Sequence, residues 1–311
     1  MTYGLFFGAR ILHIYKQIHL SQKGIINMDT SKIKLCAFAD EADPTLDGQI
    51  EALKANEISL LEIRGVDGKN ISAVTPDEAK EIRKKLDANG ISTWSIGSPA
   101  GKIKIGDDFD KELETFKQML EVGAILDAKC MRLFSFFGTN CDASYFNTVC
   151  EKLNKYVELC KPYGIVPCHE NEKGIYGERA PHCLMLLSAV PGLKAVFDPA
   201  NFIQCKQDTL QAWDMLKDYV YYGHIKDADE KGRVVPAGQG IGHIAEYLPD
   251  FVAHGCSVLT LEPHLHKFVG LANLEEEGAR SDVSTLSFAN SRESFDFAVK
   301  SLKDIINKLD L

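Results

Sequence analysis

The chain has 311 residues, 45% of them hydrophobic and 25% charged, with a formal net charge of −9. Those proportions describe a globular protein long enough to bury a large core. The acidic balance weighs against nucleic acid as a partner, because phosphate recognition leaves a basic footprint. No run approaches the roughly 18 consecutive apolar residues of a membrane span.

Residues 1–27 precede any regular pattern. Positions 3–7 are apolar, and Arg10, Lys16 and Lys23 follow among apolar residues. A secretory leader places its positive charge ahead of a longer apolar core and ends at small residues, so this stretch reads as an extension. The functional chain is expected to start near Met28, with residues 28–311 as one domain. A short amphipathic helix packed against that domain is the competing expectation.

From residue 33 the sequence alternates. Apolar runs occupy 33–39, 59–63, 92–96, 130–137, 164–168, 193–197, 220–225 and 257–261, and stretches of helical period lie between them. Phe109, Leu113, Phe116, Leu120 and Ile125 recur at helical steps, as do Phe146, Val149, Leu153, Tyr156 and Val157. Pro76-Asp77-Glu78 has the composition of a helix start. Asn89-Gly90 and Tyr163-Gly164 supply the glycine that a helix end uses in a left-handed conformation. A last helix is expected over Ser291–Leu309, with Phe295, Val299, Leu302, Ile305 and Leu309 on one face. Eight strands alternating with helices imply parallel pairing through crossovers, an α/β fold, and their number suits a closed (β/α)8 TIM barrel. The 264–290 segment is long for a loop on the C-terminal face, where long loops act as lids. The nine cysteines are odd in number, irregular in spacing and free of CxxC pairs. That argues against a disulfide framework or a structural zinc site and for a reducing, cytoplasmic setting.

In such a barrel the active site collects where strands end. The fifth run leads into His169-Glu170-Asn171-Glu172 and the sixth into Asp198-Pro199-Ala200-Asn201. The seventh carries His224-Ile225-Lys226-Asp227, and the eighth leads into Glu262-Pro263-His264. Neighbouring strands lie about 4.8 Å apart, so Glu170, Asp198, His224 and Glu262 can converge on one divalent ion. Three carboxylates and an imidazole favour Mn2+ or Mg2+, with Co2+ or Zn2+ also compatible. Each residue alone has an ordinary explanation: Asp198 before Pro199 as a helix cap, a glutamate as a salt bridge, a histidine as a hydrogen-bonded core residue. Four in register on successive strands favour the shared role.

Around them, Arg64, Lys102 and Arg132 are candidates for binding phosphate or hydroxyl groups, with a structural Glu62–Arg64 ion pair as the alternative. Glu41 is placed to touch substrate or to brace Arg64. Trp94 reads as barrel core before sugar platform. Gly238-Gln239-Gly240 can approach a ligand with its backbone, but no strand–GxGxxG–helix context surrounds it, so no nucleotide cofactor is expected.

Several stretches, in this order, carry a resemblance. They are Ala39-Asp40-Glu41-Ala42, Glu62-Ile63-Arg64-Gly65, Gly97-Ser98-Pro99, Arg132-Leu133-Phe134-Ser135, His169-Glu170-Asn171, Phe197-Asp198-Pro199-Ala200-Asn201, Gly223-His224-Ile225-Lys226-Asp227, Gly238-Gln239-Gly240 and Leu261-Glu262-Pro263-His264. Across residues 33–309 the chain resembles the sugar phosphate isomerase/epimerase family of the xylose isomerase-like TIM barrels. The resemblance implies that Glu170 and Glu262 both bind the metal and act as acid and base across the sugar. The candidate substrate contacts are Arg64, Lys102, Arg132, Asn201, Lys226 and His264. Two positions depart from the ketose 3-epimerase pattern: Asn201 stands where that subgroup has a histidine, and Glu230 where it has an arginine. The His224-Ile225-Lys226-Asp227 form is similar to other branches, inosose-processing enzymes among them.

The expected function is therefore a metal-dependent isomerase or epimerase of a sugar, sugar phosphate or polyol ketone, working through an enediolate. A lyase of the inosose or dehydroshikimate dehydratase type on the same scaffold is the alternative. An endonuclease of this superfamily needs about three metals and more histidines at the mouth, and a non-catalytic sugar-binding barrel would not need the full ligand set. The expected partner is a small carbohydrate, and the resemblance implies a homo-oligomer.

Overall fold

The computed structural model describes residues 29–268 and 286–309. The expected N-terminal extension and most of the expected lid lie outside those residues. Eight strands run in parallel: β1 (Lys34–Ala37), β2 (Leu60–Ile63), β3 (Ser92–Ile96), β4 (Cys130–Leu133), β5 (Val166–Glu170), β6 (Lys194–Phe197), β7 (Val220–Ile225) and β8 (Val258–Leu261). Each pairs with its neighbours in sequence, and β1 pairs with β8 from Lys34↔Val258 to Ala37↔Leu261, which closes the barrel. The eight apolar runs thus mark the eight strands. The 130–137 run overstates its strand. Phe136 takes φ +66°, which ends the extended chain after Leu133, and Phe134 and Phe137 pack instead with Ile175 at the mouth.

Helices cover the barrel, among them α1 (Leu46–Ala55), α2 (Pro76–Ala88), α3 (Phe109–Ile125) and α4 (Phe146–Cys160). After β5 come α5 (Ala180–Ala189), α6 (Pro199–Gln204), α7 (Thr209–Leu216), α8 (Ile244–Ala253) and the C-terminal α9 (Ser291–Leu309). The helix signals act as the sequence implies. Thr75 and Glu78 form a reciprocal capping box ahead of Pro76. Gly90 and Gly164, at φ +70° and +65°, take the left-handed turn after α2 and α4 at no steric cost.

Alternation along each strand decides what fills the interior. Cys36, Cys130, Cys168, Val196, Tyr222 and Val258 form an apolar floor inside the barrel, apart from the larger core between strands and helices. Two residues further along each strand the same face turns polar: Glu62 on from Leu60, Arg132 from Cys130, Glu170 from Cys168, Asp198 from Val196, His224 from Tyr222 and Thr260 from Val258. One more step reaches Arg64, Lys226 and Glu262. The barrel is thus dry and apolar at one end and densely charged at the other. Trp94, half-buried, stacks on Tyr221 at 5.6 Å beside the floor, as core and not as a platform at the mouth.

Candidate metal centre

Strands β5 to β8 bring Glu170, Asp198, His224 and Glu262 together, all buried, with one ligand-capable atom of each lying within 4.8 Å of the others. His224 Nδ1 lies 3.2 Å from Glu170 Oε1 and 3.4 Å from Glu262 Oε2. Bonds of about 2.1 Å imply ligand–ligand edges of roughly 3.0 to 3.4 Å in octahedral or tetrahedral geometry, so these spacings fit one ion. Asp198 does two jobs. It caps α6 through Oδ1, which accepts from the Asn201 backbone at 2.9 Å, while Oδ2 is buried and accepts no hydrogen bond. An orphaned buried carboxylate oxygen is costly unless something charged meets it. Lys226 Nζ stands 3.0 Å from Oδ2, without hydrogen-bond alignment, and 3.1 Å from Glu262 Oε2.

Both glutamates divide their oxygens in the same way. Glu170 turns Oε1 to His224 and Oε2 to Arg132 Nη1 at 3.2 Å; Glu262 turns Oε2 to His224 and Oε1 to Arg64 Nη1 at 2.9 Å. Arg132 is itself fixed by the Gly97 and Ser98 carbonyls, and Arg64 by Asp40 and Glu41. Both guanidinium groups lie over the Phe38 ring, at 4.2 Å for Arg64 and 5.1 Å for Arg132, which excludes water from their inner face.

So many buried charges shift one another. Burial pushes the Asp198 carboxyl up to about 7, aided by Glu170 and Glu262 and only partly opposed by Lys226. Burial likewise raises Glu41 to about 8 against the pull of Arg64. For Glu262 burial is outweighed by Lys226, His264 and His224, which hold its carboxyl well below the usual range. His224 moves the other way: burial disfavours its charge, but the Glu170 and Glu62 carboxylates hold it well above the usual histidine value. An ion held at His224 would therefore displace a proton from the ring.

The remaining sequence candidates are divided. Asn201 donates to Glu170 Oε1 at 3.2 Å and Lys226 joins the cluster directly. His264, at φ +46°, holds Nε2 at 3.4 Å from Glu41 and 3.5 Å from Glu262 without a hydrogen bond. Lys102 pairs with Glu172 at 3.1 Å and lies over the Phe134 ring, to one side of the four-residue cluster. Two readings need correction. Glu62 does not pair with Arg64; it points down the barrel axis to His224, because alternation sends it inward one level below Arg64. The Gly238-Gln239-Gly240 turn wraps Asp227, whose carboxylate accepts from the Gly238, Gly240 and Gly242 amides. A Cβ at Gly240 would come within 2.2 Å of the Ala228 carbonyl oxygen.

Sequence reasoning missed Glu62, Ser95 and Tyr222 as parts of the site. The signal was present: a glutamate inside the apolar Leu60-Leu61-Glu62-Ile63 run is a buried charge that requires partners.

The profile of the family described as xylose isomerase-like TIM barrel matches residues 50–287. No curated protein matches the chain by sequence. Among solved structures, it is similar to a D-psicose 3-epimerase from Clostridium cellulolyticum H10, with 14% identity, TM-score 0.67, 89% of this chain and 99% of that one covered. It is also similar to the IolI protein with a bound zinc atom (15%, 0.68, 89% and 99%). A third is the probable 3-DHS dehydratase AsbF of Bacillus anthracis (15%, 0.67, 87% and 98%). At these identities the likeness establishes the fold.

Proposed function

Because the chain belongs to the xylose isomerase-like TIM barrel family, we propose that it is a divalent-metal-dependent isomerase or epimerase acting on a sugar, sugar phosphate or related polyol ketone. The observation that carries this reading is the matched pair Glu170 and Glu262. They stand on strands separated by β6 and β7, face the same small volume, and each keeps one oxygen on the His224 side and the other on an arginine. Such a pair suits removal of a proton from one face of a carbon next to a carbonyl and its return to the other. Glu170, Asp198, His224 and Glu262 would hold the ion, with Mn2+ or Mg2+ favoured by the oxygen-rich set and zinc made relevant by the zinc in the IolI structure. When bound, the ion supplies electrostatic stabilisation of the charge that develops on the substrate oxygens as the proton leaves.

The chain's own residues supply the rest. Arg64 and Arg132 fix the two carboxylates so that each keeps its orientation through the proton transfer. Phe38 and the apolar floor exclude water from beneath, which strengthens every charge interaction above. Asn201 fixes Glu170 from the β6 side, and Lys226, Lys102 and His264 offer donors to hydroxyl or phosphate groups at the mouth. The test is proton exchange: candidate ketoses incubated with enzyme and metal in D2O should gain deuterium at the carbon next to the carbonyl. Substitution of both glutamates by Gln, with metal retained and exchange unaltered, would refute the assignment.

A dehydratase is the second reading, and the placement of Lys226 and His264 beside Glu262 favours it. A protonated lysine could deliver a proton to a departing hydroxyl after the same proton abstraction. Mass analysis of the product separates the two, since only dehydration removes a water.

A further inference from the structure

Glu62 is fully buried on β2, one level below Arg64, among groups that can each donate to it. Tyr222 OH donates to Oε1 at 2.7 Å, Ser95 Oγ donates to Oε1 at 3.0 Å, and His224 Nε2 lies 3.2 Å from Oε2. An ionised carboxylate only accepts. Its Oε2 therefore requires the hydrogen on Nε2 of His224 and directs the other nitrogen, Nδ1, toward Glu170 and Glu262. Buried ion pairs add little net stability over apolar packing, so this arrangement asks for another reason.

The barrel's irregularities point to one. Two register shifts interrupt its ladders among the described residues. In the first, between β2 and β3, Ser95 instead of Trp94 stands opposite Glu62. In the second, between β6 and β7, Tyr222 instead of Tyr221 stands opposite Val196. The two residues that pairing skips, Trp94 and Tyr221, stack on each other. Both shifts therefore accompany the delivery of a hydroxyl to Glu62, and bulges of this kind re-aim side chains beside active sites. The His224 ring is also held by the edges or faces of Phe38 at 5.2 Å and Tyr222 at 5.4 Å.

We propose that Glu62, held by Ser95 and Tyr222, is a positioning residue that sets the tautomer and orientation of His224, so that Nδ1 is the metal-binding atom. The inference rests on the metal reading of the cluster. Carboxylate partners of ligating histidines typically contribute 10- to 100-fold in metal affinity.

Two variants separate this role from simple support of the core. In Glu62→Gln the shape is kept, but the side chain must offer one oxygen and one NH2. Ser95 and Tyr222 both donate to the Oε1 position and claim the oxygen, so the NH2 faces His224 Nε2 and drives the hydrogen to Nδ1. Mn2+ titrated calorimetrically into the full chain should bind Glu62→Gln about 10- to 100-fold more weakly than wild type. Glu62→Ala should be the less stable protein, because of its cavity, yet bind Mn2+ no more weakly than Glu62→Gln. With diamagnetic Mg2+ bound at saturation, the 15N and attached 1H shifts of the His224 ring should place the hydrogen on Nε2 in wild type and change in the Gln variant, where an NH2 faces that nitrogen. A Gln variant with wild-type affinity and an unchanged ring spectrum overturns the proposal. A wild-type chain that binds no divalent ion overturns the metal reading itself, whereas wild-type metal binding with the Gln variant unaffected overturns the positioning role alone.

Discussion

Replacing Lys226 by Met should tighten metal binding. The Lys226 side chain, 5% exposed, places Nζ 3.0 Å from Asp198 Oδ2 and 3.1 Å from Glu262 Oε2, the glutamate oxygen that lies nearer His224. An ion drawn to those oxygens meets an ammonium already there and must loosen at least one of its contacts. A hydrogen bond to a charged group contributes roughly 1.5–3 kcal/mol net. At about 1.4 kcal/mol per decade, its loss costs the incoming ion about 10- to 150-fold in affinity. Methionine keeps most of the apolar stem and removes the competitor, so affinity should rise by that factor. The metal-free variant should be less stable by roughly 3–5 kcal/mol, the usual cost of leaving a buried charge without its partner, and saturating metal should recover much of that loss. Competition with a chelator gives the affinity, and denaturant melts with and without Mn2+ give the stability. Unchanged or weaker binding in Lys226→Met would refute the view that ammonium and metal compete for the same oxygens.

His224→Ala should lose bound metal by elemental analysis while circular dichroism shows the barrel intact. Glu170→Gln and Glu262→Gln should each lower turnover by about 10² to 10⁴, the usual share of general acid–base catalysis, at saturating metal. Metal affinity should rise with pH, because the Asp198 carboxyl, pushed up to about 7, must lose its proton before it can ligate. The sign for stability is opposite: a folded carboxyl above its unfolded value of roughly 4 means the metal-free fold holds the extra proton, so its stability falls as pH rises from about 4 to 7. Calorimetry in buffers of different ionisation enthalpy counts the released protons, and zero release at pH 6 would contradict this. Gly240→Ala should disturb the loop around Asp227, since its Cβ would meet the Ala228 carbonyl oxygen at 2.2 Å. A measurable loss of thermal stability is expected.

The barrel and the convergence of Glu170, Asp198, His224 and Glu262 were legible because both follow from simple periodicities. Alternation of apolar runs with helical stretches implies parallel strands, and the residue at the end of each run is where the mouth must be. The same rule, applied two residues earlier, would have found Glu62: Leu60 faces the floor, so Glu62 faces the axis and Arg64 the mouth. The adjacent charges of Glu62 and Arg64 suggested an ion pair instead, although residues i and i+2 on one strand face point the same way at different heights. Their partners come from other strands, Arg64 from β8 and the β1 loop, Glu62 from β3 and β7. The Glu62 pairings accompany the register shifts at Leu61/Glu62 and Ala195/Val196, which no local pattern marks.

Asp198 illustrates why single-residue readings stay ambiguous. Its helix-cap explanation and its ligand explanation looked exclusive, yet Oδ1 caps α6 and Oδ2 is left buried without a hydrogen bond. The cap fixes the side-chain rotamer, and that fixed rotamer aims the second oxygen at the cluster. Asn201 ties the same turn to β5, donating to both Glu170 and the Asn171 carbonyl, while Asn171 bonds the Asp198 backbone in both directions. The ends of β5 and β6 are thus one hydrogen-bonded unit, so Glu170 and Asp198 keep their spacing before any ion arrives. An ion that found its ligands already placed would lose less affinity to ordering them, so the structural role of Asp198 would also serve the proposed centre.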